Sequence, residues 1–233
     1  ELGGKGPNIV FADADIPSAV KGAMKAAFVN QGQICCAGSR LFLERKIHDE
    51  FLAEMSLAVD RIKLGHPLDP ETTMGPLISR RQYENVLDYL RIGVEEGASA
   101  LRGGENAAGI GLDNGFYVQP TLFSCARNDM RIAREEIFGP VATVIPFSGE
   151  DEALTLANDT TYGLSAGVWT QDIKKAHRMT QRLKAGTVWV NCYNKNNPNM
   201  PFGGYKMSGY GREQGTEAAY AYTQIKSVWI NFE

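Results

Sequence analysis

Short runs of β-branched and aromatic residues alternate along this chain with stretches whose apolar residues recur at helical spacing, and this alternation restricts the fold more than any other feature. The strand-like runs are NIVF (8–11), RLFLER (40–45), VATVIPF (141–147), LSAGVW (164–169), TVWVN (187–191) and KSVWINF (226–232). After the first, Asp15 is placed to N-cap a helix through IPSAVKGAMKAAFV, with Pro17 tolerated in its first turn and Val20, Met24 and Phe28 on one face. HDEFLAEMSLAVDRIK is expected to bury Phe51, Met55, Val59 and Ile62 and to stop before Gly65 and Pro67. SRRQYENVLDYLRIGVEEG is expected to bury Tyr83, Val86, Leu87, Leu90 and Val94, with Gly97 suited to a left-handed stop. Two further helices are expected over 150–158 and 172–184. Strands and helices in this order predict an α/β fold, three αβα layers around a mainly parallel sheet, with ligands beyond the carboxyl ends of the strands. The Gly-rich RGGENAAGIGLDNG (102–115) reads as a surface connection.

Charge and cysteine usage narrow the partners. A formal net charge of −3 over 233 residues, interspersed and without a basic run, offers no footprint for nucleic acid or an anionic membrane. No apolar stretch approaches the roughly 20 residues that a spanning helix needs. Cys35, Cys36, Cys125 and Cys192 lack C-x-x-C or zinc spacing, so no metal is expected, and reduced thiols fit a cytoplasmic location.

The chemistry centres on NQGQICCAGSR (30–40). A free thiol of pKa near 8.5 is only about 3% thiolate at pH 7, so a reactive one needs a base, a dipole or a metal. His48 and His177 fall on amphipathic helices and His66 beside a proline turn, which argues against a Cys–His pair and leaves a carboxylate as base. Composition alone would make Cys35 and Cys36 small apolar filler. Their place in a turn between a capped helix and a strand instead puts backbone N–H groups near sulfur, where they can hold an oxyanion. GYGREQG (209–215) spells a glycine pattern but follows no strand of a βαβ unit, so Gly203, Gly204, Gly209 and Gly211 read as close-packed turns.

ELGGKGPNIVF (1–11), FVNQGQICCAGSR (28–40), EEIFGPV (135–141), GTVWVN (186–191) and PFGGYKMSGYGRE (201–213), in this order, closely resemble the NAD(P)-dependent aldehyde dehydrogenase superfamily across essentially the whole chain. The resemblance implies oxidation of a small-molecule aldehyde to the acid with NAD or NADP, through a cysteine thiohemiacetal and thioester. It makes Cys35 the nucleophile and Cys36 a pocket neighbour whose thiol modulates without attacking. Glu1 becomes the general base that activates water, and partial burial would move its carboxyl toward the range for proton transfer. Glu136 is implied to bind the nicotinamide ribose hydroxyls, and Phe138 to pack near the nicotinamide. Val29, Ile34, Cys36 and Phe202 resemble pocket-lining positions. The polar CYNKNNPN (192–199) suggests a polar or carboxylated aldehyde, with Lys195 as an anion contact.

The resemblance also implies a domain layout: a catalytic domain over 1–207, a tail over 208–233 whose final strand builds a homo-dimer or tetramer, and an N-terminal cofactor-binding domain absent from this sequence. The chain, opening on Glu1 without a lead-in element, is accordingly expected to be a fragment that binds NAD poorly and does not turn over alone. Three rivals use the same residues: a cofactor-free thiol hydrolase, a CoA-acylating relative, which would lack a useful base at Glu1, and a non-catalytic assembly module.

Overall fold

A seven-stranded sheet runs through the centre of the computed structural model, which describes residues 1–107, 112 and 114–233. Its strands are β1 (Pro7–Val10), β2 (Arg40–Glu44), β3 (Ser99–Arg102), β4 (Thr121–Ser124), β5 (Val141–Phe147), β6 (Ser165–Trp169) and β7 (Thr187–Val190), in the spatial order β3-β4-β5-β2-β1-β6-β7. Neighbours are parallel except β3 and β4.

Period-2 alternation divides the strands between two cores. Val10, Leu41, Leu43, Leu122, Ala142 and Val144 face α1 (Ile16–Phe28) and α2 (His48–Asp60), through Val20, Phe28, Phe51 and Met55. Ile9, Phe42, Phe123, Val141, Ile145 and Val168 face α3 (Arg80–Glu95), the single turn α4 (Arg131–Arg134), α5 (Gly149–Asn158) and α6 (Ile173–Arg182). The three αβα layers expected from the pattern are therefore present. Asp15 caps α1 by accepting from Ser18 N, and Gly97 takes a φ of 95° as α3 ends.

Some expectations fail for identifiable reasons. On α3, Val94 is 57% exposed while Val86, Leu90 and Gly93 are buried, because the buried stripe turns with the helix and reaches Gly93 against Phe123 and Ile132. β3, β4 and α4 were not expected. KSVWINF (226–232) forms no ladder: residues 221–233 are all exposed, Trp229 at 95%, since nothing in this chain covers their apolar side chains. Of the 102–115 connection, 108–111 and 113 lie outside the described residues, while Ala107 and Glu105 bond back to Tyr117 and Gln119.

Candidate active site

Three segments meet where they enter adjacent strands: residues 1–6 before β1, 30–39 before β2 and 135–140 before β5, with β2 in the middle. The candidate groups thus stand at the amino ends of the strands, not the carboxyl ends that the general α/β rule predicted. The reason is topological. Adjacent parallel strands bring their entering loops together as closely as their leaving loops, and in this chain the polar groups lie on the former.

The cysteine turn is shaped by its residue types. After α1, Asn30 and Gln31 adopt φ of 52° and 56° and Gly32 one of 69°, a run of left-handed residues that swings the chain back toward β2. Asn30 Nδ2 donates to Gln33 O, and Gln33 Oε1 accepts from Ile78 N, tying the turn down. Cys35 follows, half-buried, and Cys36 is 5% exposed. The Ser165 hydroxyl (3.1 Å) and the Tyr193 hydroxyl (3.2 Å) both donate to Cys36 O, so the Cys36 backbone is held from β6 and from the loop after β7.

The paired glycines of ELGG have a steric cause. A Cβ on Gly4 would stand 2.4 Å from Cys35 O, and one on Gly3 would stand 2.0 Å from Glu136 Oε2. With neither present, the first segment threads between the cysteine turn and the Glu136 loop. Gly4 N donates to Glu136 Oε1 at 3.1 Å, and buried Ser208 anchors the outer side by donating to Gly3 O and accepting Leu2 N on its carbonyl.

The result brings Cys35 Sγ to 3.9 Å from Glu1 Oε1. Hydrogen bonding from the Cys36 thiol pulls the Cys35 thiol down to about 7, helped by the backbone N–H groups of Cys36 and Cys35 and opposed by burial and the Glu1 charge. Burial pushes the Glu136 carboxyl up, against the Gly4 N–H and the charge of Lys5. Lys5 itself is 2% exposed: burial and the neighbouring Arg40 press its ammonium down to about 7, while Glu136 and Glu135 pull it back. Arg40, wholly buried, donates to Lys5 O, Asn128 Oδ1, Leu156 O and Ala157 O, fixing the first segment to α5.

Ile34, Cys35, Cys36 and Phe202 gather around Trp189 and Tyr193. Lys195 and Phe202 share the wall of a 390 Å³ cleft with Trp189 and Met200, and Trp189 Nε1 donates to Lys195 O at 2.7 Å. Val29 is 45% exposed at the start of the turn and stays outside that cluster. Phe138, at φ 55° and 37% exposed, stands beside Glu136 on the wall of a small cavity that also touches Ile34. The partial burial expected for Glu1 is not found: Glu1 and Leu2 are exposed, since within this chain the outer side of the segment meets little beyond Ser208 and Gly209. Gly203 and Gly204 pack within 2.4 Å of carbonyls for a notional Cβ and Gly209 takes a φ of 101°, whereas Gly211 has open space. Among the described residues no group of three His, Cys, Asp or Glu could hold a metal ion.

Lys5, Tyr193 and Asn194 went unrecognised in the sequence. The signal for Lys5 was a lysine two residues before an apolar strand; Asn194 gave none, since Cys36 Sγ meets its Oδ1 at 3.3 Å across 158 positions.

The aldehyde dehydrogenase family model matches residues 1–228. A betaine aldehyde dehydrogenase of Mesorhizobium japonicum is 50% identical over 230 residues, 99% of this chain and 47% of that protein. The structure of the NAD+ complex of aldehyde dehydrogenase from Bacillus cereus superposes with a TM-score of 0.95 at 48% identity, over 100% of this chain and 47% of that one. A point mutant of betaine aldehyde dehydrogenase from Staphylococcus aureus, in complex with NAD+ and with a BME-modified cysteine, gives 0.93 at 43% identity over 95% of this chain and 45% of that one. The chain thus spans about half the length of the relatives it matches. With a family model matched over residues 1–228 and its fold superposing on those structures, the chain belongs to the aldehyde dehydrogenase family.

Proposed function

We propose that this chain supplies the catalytic domain of an NAD(P)-dependent aldehyde dehydrogenase. The observation that carries the reading is Cys35 Sγ held 3.9 Å from Glu1 with its thiol brought down to about 7, one glycine away from a Glu136 carboxylate. Cys35 thiolate adds to the aldehyde carbon, and the backbone N–H groups around the sulfur are placed to receive the oxyanion. Glu1 then takes a proton from the water that hydrolyses the thioester and releases the acid.

The local residues fit a nicotinamide cofactor. Glu136 Oε1 is engaged by Gly4, while its Oε2 accepts no hydrogen bond among the described residues, leaving a carboxylate oxygen for a ribose hydroxyl, with Phe138 exposed alongside. Bound there, NAD or NADP supplies the two-electron acceptor for the oxidation. Lys5, its ammonium pressed down to about 7, lies within electrostatic reach of Glu136, and the Gly4 N–H fixes the direction of that carboxylate. The domain boundaries proposed are 1–207 for the catalytic body and 208–233 for the tail, with the cofactor-binding domain contributed by sequence outside this chain.

The substrate proposed is a small polar aldehyde. Relatives take their name from betaine aldehyde, which is cationic, whereas Lys195 on the cleft wall favours a carboxylated end by charge. Incubation of the intact protein with NAD+ and cationic, neutral or carboxylated aldehydes should yield acid and reduced nucleotide in equal amounts. Turnover of a p-nitrophenyl ester without cofactor, with no oxidation of the aldehydes, would point to the thiol hydrolase, and a CoA requirement to the acylating relative.

The tail assembles the protein on this reading. β7 is the sheet edge beyond β6, and the apolar 225–232 segment of a second copy is suited to pair along it. Light scattering should find a dimer or tetramer that removal of 224–233 converts to monomer; an unchanged mass after removal would refute the tail's role.

A further inference from the structure

The loop after β7 carries a buried amide that is only half satisfied. Asn194 Oδ1 accepts from Cys36 Sγ at 3.3 Å, while Asn194 Nδ2, shut off from solvent, has no partner among the described residues. An amide hydrogen left in this state costs free energy, and a native structure that retains one usually has a use for it. The backbone there is left-handed, with Asn194 at φ 52°, and the neighbouring Tyr193 is 2% exposed and pinned to Cys36 O, so the amide is held against the Cys36 sulfur.

Cys36 owns a single S–H, which in this structure goes to Asn194 Oδ1; the sulfur of Cys35, next in sequence on the same turn and lowered in its titration by Cys36, is the other acceptor open to it. We propose that Cys36 and Asn194 form a two-position hydrogen-bond relay that positions the reactive state of Cys35. While Cys35 is a thiol, Cys36 S–H points to Asn194 Oδ1 and the amide N–H is orphaned. When Cys35 loses its proton toward the solvent side, where Glu1 stands, Cys36 S–H swings to the Cys35 thiolate. A half-turn of the Asn194 amide then donates Nδ2–H to the vacated Cys36 sulfur. The thiolate arrangement gives the Asn194 amide nitrogen a partner that the thiol arrangement lacks, so the relay favours the thiolate. Cys36 keeps its proton throughout: hydrogen bonding with the adjoining Cys35 sulfur, and then burial, push its own thiol up. The titratable groups facing the pair are Glu1 from the segment before β1 and Tyr193 and Cys192 from the loop after β7. Tyr193 is kept neutral by burial, and the Glu1 charge opposes the thiolate.

This inference rests on Cys35 as the nucleophile, and its test reads thiol reactivity without substrate or cofactor, so the two can fail separately. The rate of iodoacetamide alkylation at Cys35, localised by peptide mass spectrometry, is followed against pH in the intact protein, with circular dichroism confirming the fold of each variant. Cys36→Ala should move the midpoint up toward the free-thiol range and slow alkylation at pH 7 by roughly tenfold, as expected when the thiolate fraction falls from about half to a few per cent. Cys36→Ser, which keeps a donor, should restore the midpoint. Asn194→Ala decides the relay: the midpoint should rise by about half a pH unit or more. If Asn194 merely competed for the Cys36 proton, its removal would lower the midpoint, and that result, or no shift, overturns the proposal.

Discussion

Alanine in place of Cys35 is expected to remove aldehyde oxidation by at least about four orders of magnitude, because the covalent step has no other thiol in position. Cys36 sits next to it but is 5% exposed, with its carbonyl fixed by two hydroxyls and its S–H turned to neighbours. Cys192 packs on the outside of the same cluster, and Cys125 lies after β4 on the far side of β5, so neither reaches the carbonyl that Cys35 would attack. Steady-state rates with NAD+ and aldehyde measure the loss. Cys125→Ala is the control, expected to match the unaltered protein; activity surviving in Cys35→Ala would move the chemistry elsewhere.

Glu1→Gln is expected to give two effects of opposite sign. Loss of the general base should slow thioester hydrolysis, and hence turnover, by about 10²- to 10⁴-fold. The same substitution removes a negative charge 3.9 Å from Cys35 Sγ, a charge that disfavours the thiolate. A thiol next to a lost anion titrates lower, so the thiolate fraction below pH 7 rises and alkylation there should become faster. Slower turnover with faster alkylation identifies a base that acts on water. If alkylation slowed instead, Glu1 would be acting mainly to deprotonate Cys35.

Much of this arrangement was legible along the chain. Strands with alternating β-branched residues, such as VATVIPF, were recovered to within a residue or two, because burial on both sides of the sheet leaves little choice of residue. β3 was not, since Ser99, Ala100 and Leu101 are exposed on an edge and carry no alternation to read. The tail failed as a strand for the opposite reason: its pattern was correct, but pairing needs a neighbour that the chain itself does not offer. At the site, motifs singled out Cys35, Glu1 and Glu136, and the structure brings the three together and adds why the glycines between them are required. Lys5 contradicted the ordinary rule that lysines stay wet, and only the packing of Arg40 and α5 shows how its charge comes to lie behind Glu136. Asn194 depends on a contact between loops 158 positions apart along the chain, which residue spacing cannot encode.

The central claim is a covalent acyl intermediate on one particular sulfur. Glu1→Gln protein, mixed with NAD+ and aldehyde and quenched in acid, should accumulate the acyl mass on the peptide spanning residues 30–40, with fragmentation placing it on Cys35. An adduct on Cys36, Cys125 or Cys192, or no adduct while acid is still produced, would contradict the account.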